Sequence, residues 1–219
     1  MTIDRQRPTE ISNPIFARFY RSSRETAEKR GEREHRRRNL EGLRGRVVEV
    51  GAGDGGNFAL YPAEVTEVVA IEPERHLRAD AEEAAAAAPV KVTVISALAD
   101  ALPLEDESVD AAVASLVLCT VPDPAAALAE LYRVLRPGGE LRFYEHVHAH
   151  RQPLRAFLEV AYRSRIWPTI GGGCNPTRET GDAIAAAGFH IERCDRIAFS
   201  PSLIIPKIPH LLGLARKPA

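Results

Sequence analysis

VVEVGAGDGGNF, residues Val47 to Phe58, reads as a buried strand that runs straight into a glycine-rich turn and then a helix. Glycines at 51 and 53 remove the Cβ atoms that would keep a ligand off the main chain at the carboxyl end of that strand. Outward from this point the chain alternates in kind. Arg46 to Val50 is one β run, Glu67 to Ile71 a second, Lys91 to Ile95 a third, Val109 to Leu116 a fourth and Glu140 to Val147 a fifth. An Ala-rich helix from Glu74 to Ala88 and another from Pro124 to Leu135 fall between them. Beyond His150 the pattern gives a helix near Pro153 to Tyr162 and a further helix that starts at Thr177, with Thr177 and Thr180 as N-cap candidates and Gly188 as the stop. Phe189 to Ile197 and Leu211 to Lys217 then close the chain as an antiparallel pair. Such alternation predicts an α/β fold of the doubly wound, Rossmann-like kind: seven strands, mostly parallel with the last antiparallel, and helices on both faces. Ile15, Phe16, Phe19 and Tyr20 recur at helical spacing, so residues 1–45 are expected to form a helical lid segment over a domain spanning 46–219.

The turn alone does not name a ligand, because Gly51, Gly53 and Gly56 also satisfy the G-x-G-x-x-G pattern of dinucleotide enzymes. Two acids narrow it. Glu72, in VVAIEP, stands at the end of the second strand, where a carboxylate accepts both hydroxyls of a ribose, so the ligand is nucleoside-like. Glu49 lies inside the first strand, where a nearby pyrophosphate would be repelled and a cationic sulfonium would not.

VVEVGAGDGGNF, AIEP, ALADALPLEDESVDAAVAS and YRVLRPGGEL together resemble the class I S-adenosylmethionine-dependent methyltransferases, over about Arg46 to Val147. That resemblance implies S-adenosyl-L-methionine as cofactor, held by Glu49, Gly51, Ala52, Gly53 and Asn57 of the first motif and by Glu72 and Pro73 of the second. It further implies Ala99 and Asp100 beside the adenine, main-chain carbonyls of Ser115 and Leu116 on the cofactor's amino group, and Tyr20 closing over its carboxylate. The family often carries an acid where Leu98 stands, which shifts recognition of the adenine amino group to Asp100. SLVLCTV, LRPGGELRFYEHV, GGGCNPTRET and IPHLLGLARKP look, more closely, like the alkyl thiol methyltransferases found on animal endoplasmic reticulum and lipid droplets, from Val47 to the C-terminus. The hydrophobic N-terminal anchor of those relatives has no equivalent before Ile15. The implied reaction is S-methylation of a small apolar thiol, with O- or N-methylation of a small molecule or phospholipid head group as the alternative.

At 219 residues, with 45% hydrophobic and 27% charged residues, the chain has the bulk of one soluble domain, and a net charge of -1 argues against a nucleic-acid partner. Apolar stretches such as Val109 to Val121 are broken well short of a membrane span. Three cysteines, Cys119, Cys174 and Cys194, at unrelated spacings and without a secretory leader point to the cytoplasm. From Arg18 to Arg46, eleven Arg or Lys face five Glu. A solvated helix carrying the pairs Glu25–Lys29 and Glu32–Arg36 accounts for this, and peripheral contact with an anionic surface is the other reading.

Methyl transfer from a sulfonium is an in-line displacement with a neutral leaving group, so positioning matters more than acid–base chemistry. His146, in EHVHAH, follows the fifth strand and is the candidate base or orienting group for a thiol. His146, His148 and His150 alternate, but no paired ligand motif accompanies them, so no metal is expected. Cys119 reads as a small apolar residue, and Cys174 and Cys194 as incidental. Phe16, Phe19, Ile166, Trp167, Ile204 and Ile205 are the apolar candidates for an acceptor pocket. Two rivals stand beside this reading: a nicotinamide-dependent oxidoreductase, and a non-catalytic cofactor-binding adaptor at a lipid surface.

Overall fold

The computed structural model describes residues 9–203 and 205–219. Its centre is a seven-stranded sheet: β1 (Gly45–Val50), β2 (Val65–Ile71), β3 (Val92–Ile95), β4 (Val109–Ser115), β5 (Leu135–His146), β6 (His190–Phe199) and β7 (Ile208–Arg216). The order is β3-β2-β1-β4-β5-β7-β6, with β7 alone running antiparallel to its two neighbours. The expected doubly wound architecture is therefore present. The chain reverses direction across the sheet between β1 and β4, the crevice where open α/β sheets bind ligands.

Period-2 alternation sorts the central strands onto two cores. Val48 and Val50 of β1 and Ala112 and Ala114 of β4 pack on one face with α4 (Pro124–Val134) and its Leu128 and Leu131. Val47, Ala111 and Val113 face the other side, against Phe58, Tyr61, Leu40 and Leu43. Both faces of these strands are closed off from water, as parallel strands require.

Two helices precede the sheet, α1 (Pro14–Lys29) and α2 (Glu32–Leu40). Asn13 caps α1 by accepting from the Phe16 amide, with Pro14 at the first helical position. Helix α3 (Arg75–Ala86) starts at Glu74, whose side chain accepts from the His76 and Leu77 amides and, through its other oxygen, from the Asn13 amide. One carboxylate thus ties the starts of α1 and α3 together. The Arg21–Asp80 and Arg24–Asp54 ion pairs hold α1 further along.

The structure corrects three sequence expectations. No α-helix follows the glycine turn: Phe58–Leu60 is a single 3-10 turn, because Gly55 and Gly56 disfavour helix and Pro62 ends it. The helix expected from Thr177 begins instead at Thr180, as α7 (Thr180–Ala186), because Asn175 accepts from the backbone amide and hydroxyl of Thr177 and folds that residue into a turn. Between them lie α5 (Leu154–Arg163) and a short α6 (Ile166–Ile170). The charged segment Arg18 to Arg46 is two helices, and the Glu32–Arg36 pair is buried in place of being solvated. No helix among the described residues is long and apolar enough to cross a membrane.

Candidate active site

A cavity of about 720 Å³ opens at the carboxyl ends of β1, β2 and β4, a volume typical of small-molecule sites. Gly51 and Gly53 form its floor with φ near +63° and +60°, backbone that L side chains rarely adopt. A Cβ on Gly51 would collide with the Val117 side chain. Leu116, at the end of β4, holds φ +59° without being glycine, a local strain that the surrounding hydrogen bonds, including its amide to the Tyr144 carbonyl at 2.7 Å, maintain.

Glu72 stands on the wall at the end of β2. One carboxylate oxygen accepts from the Gly53 amide at 2.7 Å and the other from the Glu74 amide at 2.8 Å, so its plane is fixed before any ligand arrives. Burial lifts its pKa to about 7, against the pull of those two amides. Pro73, Leu98, Ala99, Asp100, Ser115 and Leu116 complete this part of the lining.

Three of the expected residues lie behind the wall and not on it. Glu49 is buried, accepting from Asn57 Nδ2 at 2.7 Å and from the Tyr61 hydroxyl at 2.7 Å, and burial raises its pKa to about 7. Asn57 is wholly buried, and Ala52 packs into the lower core. Asn57 relays this support forward: its amide nitrogen lies 3.4 Å from Ser115 Oγ, and its oxygen lies 3.4 Å from a guanidinium nitrogen of Arg36.

Arg36 escaped the sequence reading. It projects from α2 to the cavity wall, is only 6% exposed, and pairs with Glu32 at 3.7 Å. Burial opposes its charge, but the carboxylates of Glu32 and Asp54 more than offset that and keep it protonated. From α1, Tyr20 comes down beside it, with its hydroxyl against Gly53, and Phe16 adds an apolar edge. Burial pushes the Tyr20 hydroxyl pKa up, so it stays a neutral donor.

Of the apolar acceptor candidates only Phe16 lines the cavity. Phe19 points outward at 37% exposure, Trp167 joins a separate cluster with Leu158 and Ile208, and Ile205 is half-buried away from the lining. Ile204, and the side chain of Ile166, lie outside the described residues. Ile11, Leu77, Leu98, Val117 and Val121 supply the greasy wall instead.

His146 does not line the cavity either. Its Nδ1 lies 3.5 Å from Cys119 Sγ and 3.4 Å from Cys174 Sγ, and the two sulfurs are 3.7 Å apart. Cys174 is therefore not incidental, whereas Cys194 is exposed. The sulfur–sulfur hydrogen bond pushes the Cys119 thiol up and the Cys174 thiol down, and the neighbouring Cys174 holds the His146 pKa up against its burial. Glu145, the preceding residue, is buried and accepts from the Val117, Leu118 and Cys119 amides at 2.9–3.1 Å, pinning the loop after β4. The alternating histidines do not form one site: His148 meets the exposed His150 edge to face at 5.6 Å and lies 2.8 Å from Glu179, apart from His146.

A family model described as a methyltransferase domain matches residues 48–143. Thiol S-methyltransferase TMT1B of Homo sapiens is 34% identical over 202 residues, which span 90% of this chain and 82% of that protein. The chain belongs to the S-adenosylmethionine-dependent methyltransferases. Thiol S-methyltransferase TMT1A of Homo sapiens is 32% identical, covering 78% of the methyltransferase described here and 70% of its own length. In fold, the methyltransferase matches a SAM-dependent methyltransferase from Thermotoga maritima with a TM-score of 0.68 at 24% identity, over 93% of this chain and 98% of that one. The cofactor of the methyltransferase is S-adenosyl-L-methionine, and the cavity suits it. Its floor has no Cβ at Gly51 or Gly53, its wall holds a fixed carboxylate at Glu72, and a buried cation at Arg36 waits near the floor.

Proposed function

We propose that this methyltransferase transfers its methyl group to the sulfur of a small apolar thiol. The observation that carries the reading is the similarity to thiol S-methyltransferases at 32–34% identity over most of both chains. A cavity whose free wall is Ile11, Phe16, Val117 and Val121 agrees with an acceptor that is greasy and uncharged.

When bound, the cofactor supplies a methyl group on a positively charged sulfur. The side chains then do the positioning. Glu72 takes the two ribose hydroxyls on carboxylate lone pairs left over from its two amide donors. Arg36, with Tyr20 from the lid, holds the cofactor carboxylate through charge-assisted hydrogen bonds. Ala99 and Asp100 flank the adenine, and Ser115 and Leu116 offer carbonyls to the amino group. Glu49 and Asn57 act from behind, fixing Ser115 and Arg36. Helix α1 and the segment around Ile11, whose amide donates to the Pro73 carbonyl and whose carbonyl accepts from the Arg75 amide, form the lid that keeps water from the thiolate.

The test is incubation of the full chain with isotopically labelled S-adenosylmethionine and matched acceptors that differ only in the end group: an alkyl thiol, the alcohol, the amine and a phosphatidylethanolamine dispersion. The labelled methyl thioether is the expected product. Label in the amine or the phospholipid and none in the thioether would replace thiol by nitrogen as the acceptor.

A further inference from the structure

Cys119, His146 and Cys174 stand apart from the cofactor cavity, yet Val117, Thr120 and Gly172, each within two residues of a cluster member, line its wall. The three groups come from three places in the chain: the loop after β4, the last residue of β5, and the turn after α6. Their ligand atoms form the one group of this kind among the described residues, all within 4.8 Å of one another. Both cysteines are free thiols, Cys119 fully buried and Cys174 3% exposed.

The three separations match a coordination polyhedron. A tetrahedral zinc ion with Zn–S near ~2.3 Å and Zn–N near ~2.05 Å fixes the S···S edge at about 3.8 Å and each S···N edge at about 3.6 Å. The sulfurs here are 3.7 Å apart, and Nδ1 lies 3.5 and 3.4 Å from them. Thiol hydrogen bonds would give similar edges, so it is the convergence of two free thiols and an imidazole from three separate parts of the chain, all three ligand atoms within reach of one centre, that points to an ion. The donor set is also selective: two thiolates and an imidazole suit a soft or borderline tetrahedral ion and disfavour magnesium or calcium.

We infer that Cys119, His146 and Cys174 form a binding site for a tetrahedral, thiophilic divalent cation of the zinc type, with the fourth vertex left to an exogenous donor. The ion clips the turn after α6 to the ends of β4 and β5. That turn carries Gly172, which packs against Phe16 of the lid, so the clip fixes one wall of the cavity. The second-sphere support is already built: Glu145 holds the Cys119 amide, the Asn175 amide donates to the Cys119 carbonyl at 2.7 Å, and Arg178 reaches the Leu118 and Val121 carbonyls. This inference stands on geometry and does not depend on the acceptor being a thiol.

The probe is cobalt(II), whose tetrahedral thiolate complexes absorb strongly in the near ultraviolet and visible. The full chain, purified without metal under a phosphine reductant, is titrated with cobalt and then with zinc. One equivalent of cobalt should give thiolate charge-transfer and tetrahedral d–d bands that zinc abolishes. Cys119→Ser and Cys174→Ser should each weaken binding by roughly a hundredfold or more, beyond what loss of a supporting contact costs, and His146→Gln should distort the bands. Cys194→Ser, at the exposed thiol, should leave them unchanged. If the reduced wild-type chain binds no cobalt, or if Cys194→Ser alone removes the bands, the site does not exist as described; both readings come from proteins whose fold the substitutions do not threaten.

Discussion

Glu49 shows how a residue legible in sequence does its work from an unexpected place. The acid inside β1 is where the pattern put it, but it reaches the site only through Asn57, which contacts Ser115 and Arg36. Its raised pKa has a consequence for stability. A carboxyl that titrates near 7 when folded and near ~4.3 when unfolded binds its proton more tightly in the native state, so its contribution is present at acid pH and is lost as pH rises between the two values. Wild type should therefore lose stability relative to Glu49→Gln by ~1.4 kcal/mol for each pH unit between about 5 and 7, measured as the difference between two urea-melting series. A difference that stays flat with pH would remove Glu49 as a titrating buried acid. Arg36 makes the opposite case, since nothing in the run Arg36-Arg37-Arg38 marks the first as the buried one. With Glu32→Gln present to avoid stranding a buried carboxylate, Arg36→Met should weaken S-adenosylhomocysteine by ~1.5–3 kcal/mol, roughly ten- to a hundredfold. Unchanged affinity by calorimetry would take Arg36 out of cofactor binding.

The elements explain which of these signals were readable. Strands β1, β2 and β4 are apolar on both faces and flanked by turn residues, so they announced themselves, and their boundaries moved by no more than two residues. Helix α2 could not, because Leu40 is the one apolar residue of its inner face, and the others, Glu32, Arg36 and Asn39, are polar residues at helical spacing that look solvated by every periodicity rule. The missing helix after the glycine turn has the same lesson in reverse: the strand and turn pattern suggests one, while Gly55, Gly56 and Pro62 do not allow it. The Cys119, His146 and Cys174 group was unreadable because no ligand spacing links residues so far apart; only the return of the turn after α6 to the end of β5 joins them. Strand β7 offers an element-scale test. It is sandwiched between β5 and β6, and a Cβ at Gly213 would run into the Arg193 carbonyl and the Phe143 ring. Gly213→Ala should cost ~1–3 kcal/mol of stability, from the clash with the Arg193 backbone carbonyl together with forced displacement of Phe143. A melting temperature equal to wild type would show that β6 and β7 are looser than drawn.

At the scale of the molecule, the sheet supplies a rigid edge and the N-terminal helices supply a cover. The carboxyl ends of β1, β2 and β4 meet at one crevice, and the ion pairs Arg21–Asp80 and Arg24–Asp54 together with the Glu74 cap hold α1 across it. The cavity's buried positive charge, Arg36, comes from the N-terminal helices and not from the sheet edge, which is why the basic segment read as surface. The adenosyl-sulfur ligand is proposed to sit in this crevice, floored by Gly51 and Gly53 and walled by Glu72. Calorimetric titration of S-adenosylhomocysteine into the full chain and into Glu72→Ala tests it most directly, with reduced nicotinamide dinucleotide as the comparison ligand. One-to-one micromolar binding that Glu72→Ala weakens at least tenfold, and no heat from the dinucleotide, is the predicted result. Binding that ignores Glu72, or a dinucleotide that binds where S-adenosylhomocysteine does not, would contradict it.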